Sequence, residues 1–193
     1  MSGATPSSAA ARASVESMTV VEFDPPERFV VGTVGPPGGR TFFLQASDDN
    51  RRVQVALEKI HAQVLAERIG ELLDQLAGTT STVSAAADAA DNAPLDVPIS
   101  EDFRISAISL AWDEERQVVV IEAHDHDPDE VDDDPAEEVA LNTLRVTLDP
   151  AHARAFARRC ETVVQAGRPS CPFCGGPLDP EGHICPRANG YRR

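Results

Sequence analysis

The sequence predicts an α+β protein made of two βββα units followed by a cysteine-rich tail, and three observations carry that expectation. Short runs rich in β-branched and aromatic residues alternate with turn chemistry and twice precede a stretch whose apolar residues recur every three or four positions. A Ser, Thr and Ala-rich segment without an apolar stripe separates the two occurrences. Three of the four cysteines lie within the last 23 residues.

Residues 1–22 open with Ser, Ala and Thr and lack periodicity, so they read as a disordered lead-in. The first unit is expected over 23–78. Arg28 to Val34 (RFVVGTV) and Arg40 to Ala46 (RTFFLQA) flank the turn GPPGG and form a hairpin. After SDDN, Val53, Val55 and Leu57 alternate on one face of a third strand. From Leu57 the period changes: Ile60, Val64, Leu65, Ile69, Leu72, Leu73 and Leu76 mark an amphipathic helix that stops near Gly78. Residues 79–100 end in Pro94 and Pro98 and read as a linker.

The same order recurs over 101–167. Phe103 to Trp112, the turn DEER and Gln117 to Ala123 form a second hairpin, and Asn142 to Leu148 supplies a third strand. Asp149 is a helix N-cap with Pro150 in the first helical position, and the helix stops at Gly167. This is an internal pseudo-repeat of pattern, without residue identity between the halves. Between its second and third strands the second unit carries an acidic insert, 124–138, with nine carboxylates. A solvated loop is the plain reading. The sharper one is a divalent cation held by His124, Asp125, His126 and Asp127, although the insert lacks the Gly and the terminal Glu of a calcium-binding loop.

Residues 168–193 form the tail. Cys171 and Cys174 are spaced C-x-x-C in CPFCGG, a tight turn whose backbone N–H groups can donate to thiolates. A Gly and Pro-rich loop follows, and then His183 and Cys185, one residue apart, point to one face of an extended segment. Together they make a Cys₃His set, the full tetrahedral shell of a structural zinc knuckle or ribbon. Cys160 lies on the apolar stripe of the second helix, an ordinary place for a buried thiol, so His183 is the better fourth ligand. Four protein ligands leave no position for an activated water, which argues for scaffold rather than catalysis.

Composition narrows the function. Thirty-two acids against seventeen Lys and Arg give a net charge of −15, which repels a nucleic acid backbone. No apolar run is long enough for a membrane span and no secretory leader is evident, so a cytoplasmic protein is expected. The His-x-Glu of zinc deaminases is absent, as are the G-x-S-x-G, P-loop, G-x-G-x-x-G and H-E-x-x-H signatures.

The segments FDPPERFVVGTVGPPGGRTFFLQA, VALEKIHAQVLAERIGELL and GRPSCPFCGGPLDPEGHICPRANGYRR resemble an uncharacterised actinobacterial family, the DUF3090 domain of unknown function. The resemblance spans about Phe23 to Leu76 and Phe103 to Arg193. It implies a pathway shared with a phosphoinositide-kinase-like protein and a phosphoglycerate-mutase-like phosphatase. The tail motif also implies that Arg187, Asn189, Tyr191 and Arg192 meet a ligand or partner.

Two functions follow as expectations. The first is a non-catalytic binding or adaptor protein, whose tail from Arg168 to Arg193 has four arginines against two acids. The alternative is an enzyme or cofactor protein acting on a phosphorylated small molecule. There Arg28, Arg40 and Lys59, or the tail arginines, would bind the phosphate, with Arg28 and Arg40 flanking the first hairpin loop and able to converge.

Overall fold

The structure, a computed structural model, describes residues 18–76, 85–127, 141–167, 171–176, 178 and 183–187. It is an α+β fold with two four-stranded sheets and two long helices. The first sheet has the order β2 (Arg28–Val34), β3 (Thr41–Ser47), β4 (Arg52–Leu57) and β5 (Phe103–Arg104). The second has β6 (Ala107–Asp113), β7 (Val118–His124), β8 (Leu141–Leu148) and β1 (Met18–Phe23). Helices α1 (Lys59–Leu76) and α2 (Pro150–Gln165) each follow the third antiparallel strand of a unit. The α2 start is as read from sequence: the Asp149 carboxylate accepts from the N–H groups of Ala151 and His152, both at 2.9 Å.

The edges of the units differ from expectation. Residues 18–23 belong to a strand rather than a lead-in, and β1 lies parallel to β8, with Phe23 opposite Val146. The expected strand Phe103 to Trp112 is two strands. Phe103 pairs in parallel with Val55 of the first sheet, and after Ile105 and Ser106 the chain crosses to the second as β6. Each unit is therefore ββββα, and each gives its first strand to the other unit's sheet. Non-local parallel pairs of this kind leave no periodic trace in a short segment.

Pairing register makes the two units correspond position by position. Gln45 opposite Gln54 matches Glu122 opposite Arg145, and Val30 opposite Gln45 matches Ser109 opposite Glu122. The alignment runs without a gap from the last strand into the helix, with VQVALEKIHAQVLAERI (53–69) against LRVTLDPAHARAFARRC (144–160). Val55 and Val146, Leu57 and Leu148, His61 and His152, Ala62 and Ala153, Ala66 and Ala157, and Arg68 and Arg159 are identical pairs. The pseudo-repeat thus extends to residues, contrary to the pattern-only reading. The acidic insert conceals it: 18 residues lie between His124 and Thr143, against four between Ser47 and Arg52, the equivalent pair.

One core joins both units. Val31, Leu44, Val55 and Leu57 of the first sheet pack with Phe23, Val119, Ile121, Leu144 and Val146 of the second and with Leu65, Ile69, Phe156 and Cys160 of the helices. The equivalent small residues Ala62 and Ala153 are both fully buried, as α1 packs on α2. Each helix also lies on a strand of the other unit, α1 on β6 and α2 on β2, and these two strands are equivalent in the repeat.

The expected linker 79–100 is structured over its described part. Residues 85–88 make one helical turn and residues 89–98 run as an extended strap over the outer face of the first sheet. The buried Gln45 donates to the Asp96 carbonyl at 2.9 Å and accepts from the Asp96 N–H at 2.8 Å, while Gln54 donates to the Pro98 carbonyl. Leu95 fills the space over Gly32, where an added Cβ would stand 2.5 Å from the Leu95 Cγ. Side-chain amides reading a backbone need no apolar stripe, which is why the strap has the composition of a linker.

Candidate metal centre

The local turn sets the first two ligands. Gly175 N–H donates to the Cys171 carbonyl at 2.8 Å, and Gly175 takes a φ of +74°, the left-handed region that glycine enters without strain. The Phe173 N–H is 3.4 Å from Cys171 Sγ. Cys171 N–H closes the knuckle by donating to the Gly176 carbonyl at 2.7 Å. Burial would raise the Cys171 thiol, but the backbone N–H groups of Cys174 and Phe173 together with the neighbouring Cys174 and Cys185 thiols hold its pKa below the ordinary value.

His183 and Cys185 meet this turn. Cys171 Sγ lies 3.8 Å from Cys185 Sγ, and Cys174 Sγ lies 3.2 Å from His183 Nε2. The four ligand atoms all fall within 4.8 Å of one another. Two thiolates on one tetrahedral ion with bonds of about 2.3 Å stand about 3.8 Å apart, so the donor set fits a single small ion. Among the described residues this is the one cluster of His, Cys, Asp and Glu with that geometry. The arrangement can hold a metal ion through three soft thiolates and one imidazole, a closed shell of protein donors.

Cys160 stays apart from this centre, fully buried in the core, where burial pushes its thiol far above the ordinary range. The His124 to Asp127 cluster is spent on internal bonds. His124 ends β7, buried, with Nε2 at 3.0 Å from Ser109 Oγ and Nδ1 at 3.0 Å from Thr143 Oγ1. His126 Nδ1 meets Asp125 at 2.8 Å, and both Asp125 oxygens accept from Asn142. The rest of the insert, 128–140, lies outside the described residues.

The arginines expected to converge do not. Arg28 is committed to the strap, with Nε at 2.6 Å from Asp91, a guanidinium nitrogen at 2.9 Å from Asp96 and another on the Pro94 carbonyl at 2.8 Å. Arg40 sits at the opposite end of the hairpin, reaching the Val163 carbonyl near the C-terminus of α2, where a cation complements the helix dipole. Lys59 begins α1. In the tail, Arg187 donates to the Phe173 carbonyl at 3.3 Å and so ties the two ligand-bearing segments together. That internal role was not read from sequence, and only the proximity of the two segments reveals it. Asn189, Tyr191 and Arg192 lie outside the described residues.

These features define an α+β pseudo-repeat protein with a candidate Cys₃His metal centre. The chain belongs to the DUF3090 family of proteins of unknown function, whose family model matches residues 21–185, from the middle of β1 to the last ligand of the cluster. No curated protein gives a significant match, and no solved structure does. Among the described residues, no helix is long and apolar enough to cross a membrane.

Proposed function

We propose that this chain is a non-catalytic binding or adaptor protein of the cytoplasm in which Cys171, Cys174, His183 and Cys185 hold one structural zinc ion. The completeness of the donor set carries the reading. Three thiolates and an imidazole fill a tetrahedral shell, which suits a zinc that folds the tail and leaves no protein-free position for a reacting water. Arg28 and Arg40 are engaged by the protein itself, which removes the convergent pair a phosphate-handling enzyme would use.

The tail is locally basic on a chain of net charge −15, which favours an acidic protein surface as its partner over nucleic acid. The family resemblance makes a phosphoinositide-kinase-like or a phosphoglycerate-mutase-like protein the first partner to test. Intact protein and the Cys171→Ser, Cys174→Ser variant would each be used to retain partners from cytosol. Specific retention of either protein by the intact form alone is the expected result. Turnover of a phosphorylated metabolite by the purified chain would overturn the adaptor reading.

A further inference from the structure

A metal-binding turn needs its ligands to face the ion and places no demand on the side chains between them. Here the ligands turn inward and the intervening residues turn out. Cys171 and Cys185 are buried, whereas Phe173, inside the C-x-x-C turn, is 63% exposed, and Ile184, between His183 and Cys185, is 82% exposed. Ile184 is the most exposed large apolar side chain among the described residues, and Phe173 is the one exposed Phe, Tyr or Trp among them. Pro172 and Pro186, each next to a ligand, are exposed as well.

The centre itself assembles this patch. The sulfurs of Cys171 and Cys185 bring the two segments to 3.8 Å, and Arg187 ties them again by donating to the Phe173 carbonyl at 3.3 Å. The bonds from Cys171 N–H to Gly176 and from Gly175 N–H to Cys171 fix the turn that carries Phe173. An apolar anchor on a backbone held in this way has little freedom to lose on binding, which makes a small patch effective. Arg187 is the one Arg, Lys, Asp or Glu of the described tail, and it is exposed.

We propose that the knuckle docks an acidic segment of a partner protein, with apolar side chains laid against Phe173 and Ile184 and a carboxylate on Arg187. The inference rests on the structural-metal reading above, since the ion holds the two segments together. Charge complementarity selects the occupant. The patch carries a cation, and the tail from Arg168 to Arg193 has four arginines against two acids on a chain of net charge −15. An anionic lipid surface or a nucleic acid would meet that negative body as well, whereas a protein segment can reach the patch alone. The contact is small, so the complex is a transient one.

The probe is a displayed library of short random peptides. It is passed first over the immobilised Phe173→Ser, Ile184→Ser chain, which removes binders of other surfaces, and then selected on the zinc-loaded full chain. Surviving peptides are expected to combine Asp or Glu with aromatic or aliphatic residues. A synthetic copy of the enriched sequence should shift the amides of 171–176 and 183–187. Its affinity should fall at least about tenfold in Phe173→Ser or Ile184→Ser, and several-fold at high salt. Both variants should keep the metal content of the parent, because neither side chain is a ligand. Cys174→Ser should lose the metal and the peptide together.

An intact chain that takes up no ion fails the zinc reading and this inference with it. A chain that holds its ion but selects no patch-dependent peptide overturns this inference alone. So do surviving peptides that are basic, or a peptide that Cys174→Ser binds undiminished. Retention on vesicles of anionic phospholipid, lost in Phe173→Ser, would assign the patch to a membrane surface instead. Self-association lost in the same variant would assign it to a second copy.

Discussion

The chain leaves each of its two helices in a different way, and the difference separates what holds the body together from what the tail does. After α1 it is tied to the outer face of the first sheet by Arg28, Arg159, Gln45 and Gln54, which together read its backbone carbonyls and the Asp91 and Asp96 carboxylates. After α2 the chain meets four ligand atoms of a candidate metal site instead. Hydrogen bonds from a buried scaffold make the first tie part of the core's cooperativity. The second is local, closing a loop within the tail, and a bound ion would stabilise it.

The equivalent arginines Arg159 and Arg68 carry the largest expected difference between the halves. Arg159→Ala removes three charge-assisted bonds to carbonyls and should lower stability by about 3 kcal/mol in denaturant titration, with little change in slope. Arg68→Ala, at the equivalent exposed place, should stay within about 0.5 kcal/mol. Similar losses at both sites would mean that the strap is not what distinguishes the halves.

Gly32 and Ala111 are the next pair. Gly32→Val drives a branched side chain into Leu95 and should cost about 2 kcal/mol, while Ala111→Val, on an exposed strand position, should be close to neutral. Equal costs would argue that Leu95 does not lock the strap.

At the equivalent positions Ser47 and His124, only His124 carries a group that titrates near neutral pH. Burial lowers the His124 pKa, with Glu122 opposing more weakly, so the folded protein holds the ring neutral. As pH falls below the unfolded value of about 6.5, the unfolded chain takes up a proton that folded His124 refuses, so stability declines by at most about 1.4 kcal/mol per pH unit. Denaturation midpoints at pH 7 and pH 5.5 should converge in His124→Gln relative to the parent. An unchanged gap would assign the decline to other groups.

The smallest effect is expected from the tail. Chelation, or Cys174→Ser, should shift the body's denaturation by less than about 0.5 kcal/mol while abolishing metal retention, because no core residue of either sheet is a ligand. A large loss of body stability would show that the metal centre and the core fold as one unit.

How far the sequence reveals this architecture depends on which physical signal each part uses. The hairpins, both helices and the Asp149 cap were legible because alternation, the 3.6-residue period and capping chemistry are local. The clustering of Cys171, Cys174, His183 and Cys185 is legible because C-x-x-C and H-x-C spacings are short-range. β1 and the break at Ser106 were not, since parallel pairing with a distant strand decides them. The strap was hidden for a different reason: Gln45 and Gln54 look like ordinary polar strand residues until a backbone is found against them. The repeat of His61, Ala62, Ala66 and Arg68 was present in the letters all along, displaced from view by the insertion between β7 and β8.

Cobalt substitution of the purified full chain reports whether the tail holds a metal in a closed shell. One ion per chain is expected, with intense thiolate-to-metal charge transfer and the strong ligand-field absorption of a four-coordinate S₃N site, unperturbed by added anions and lost in Cys171→Ser and His183→Ala. A site that takes up no stoichiometric metal, or a spectrum that responds to added anions as an open, water-bearing site does, would contradict it.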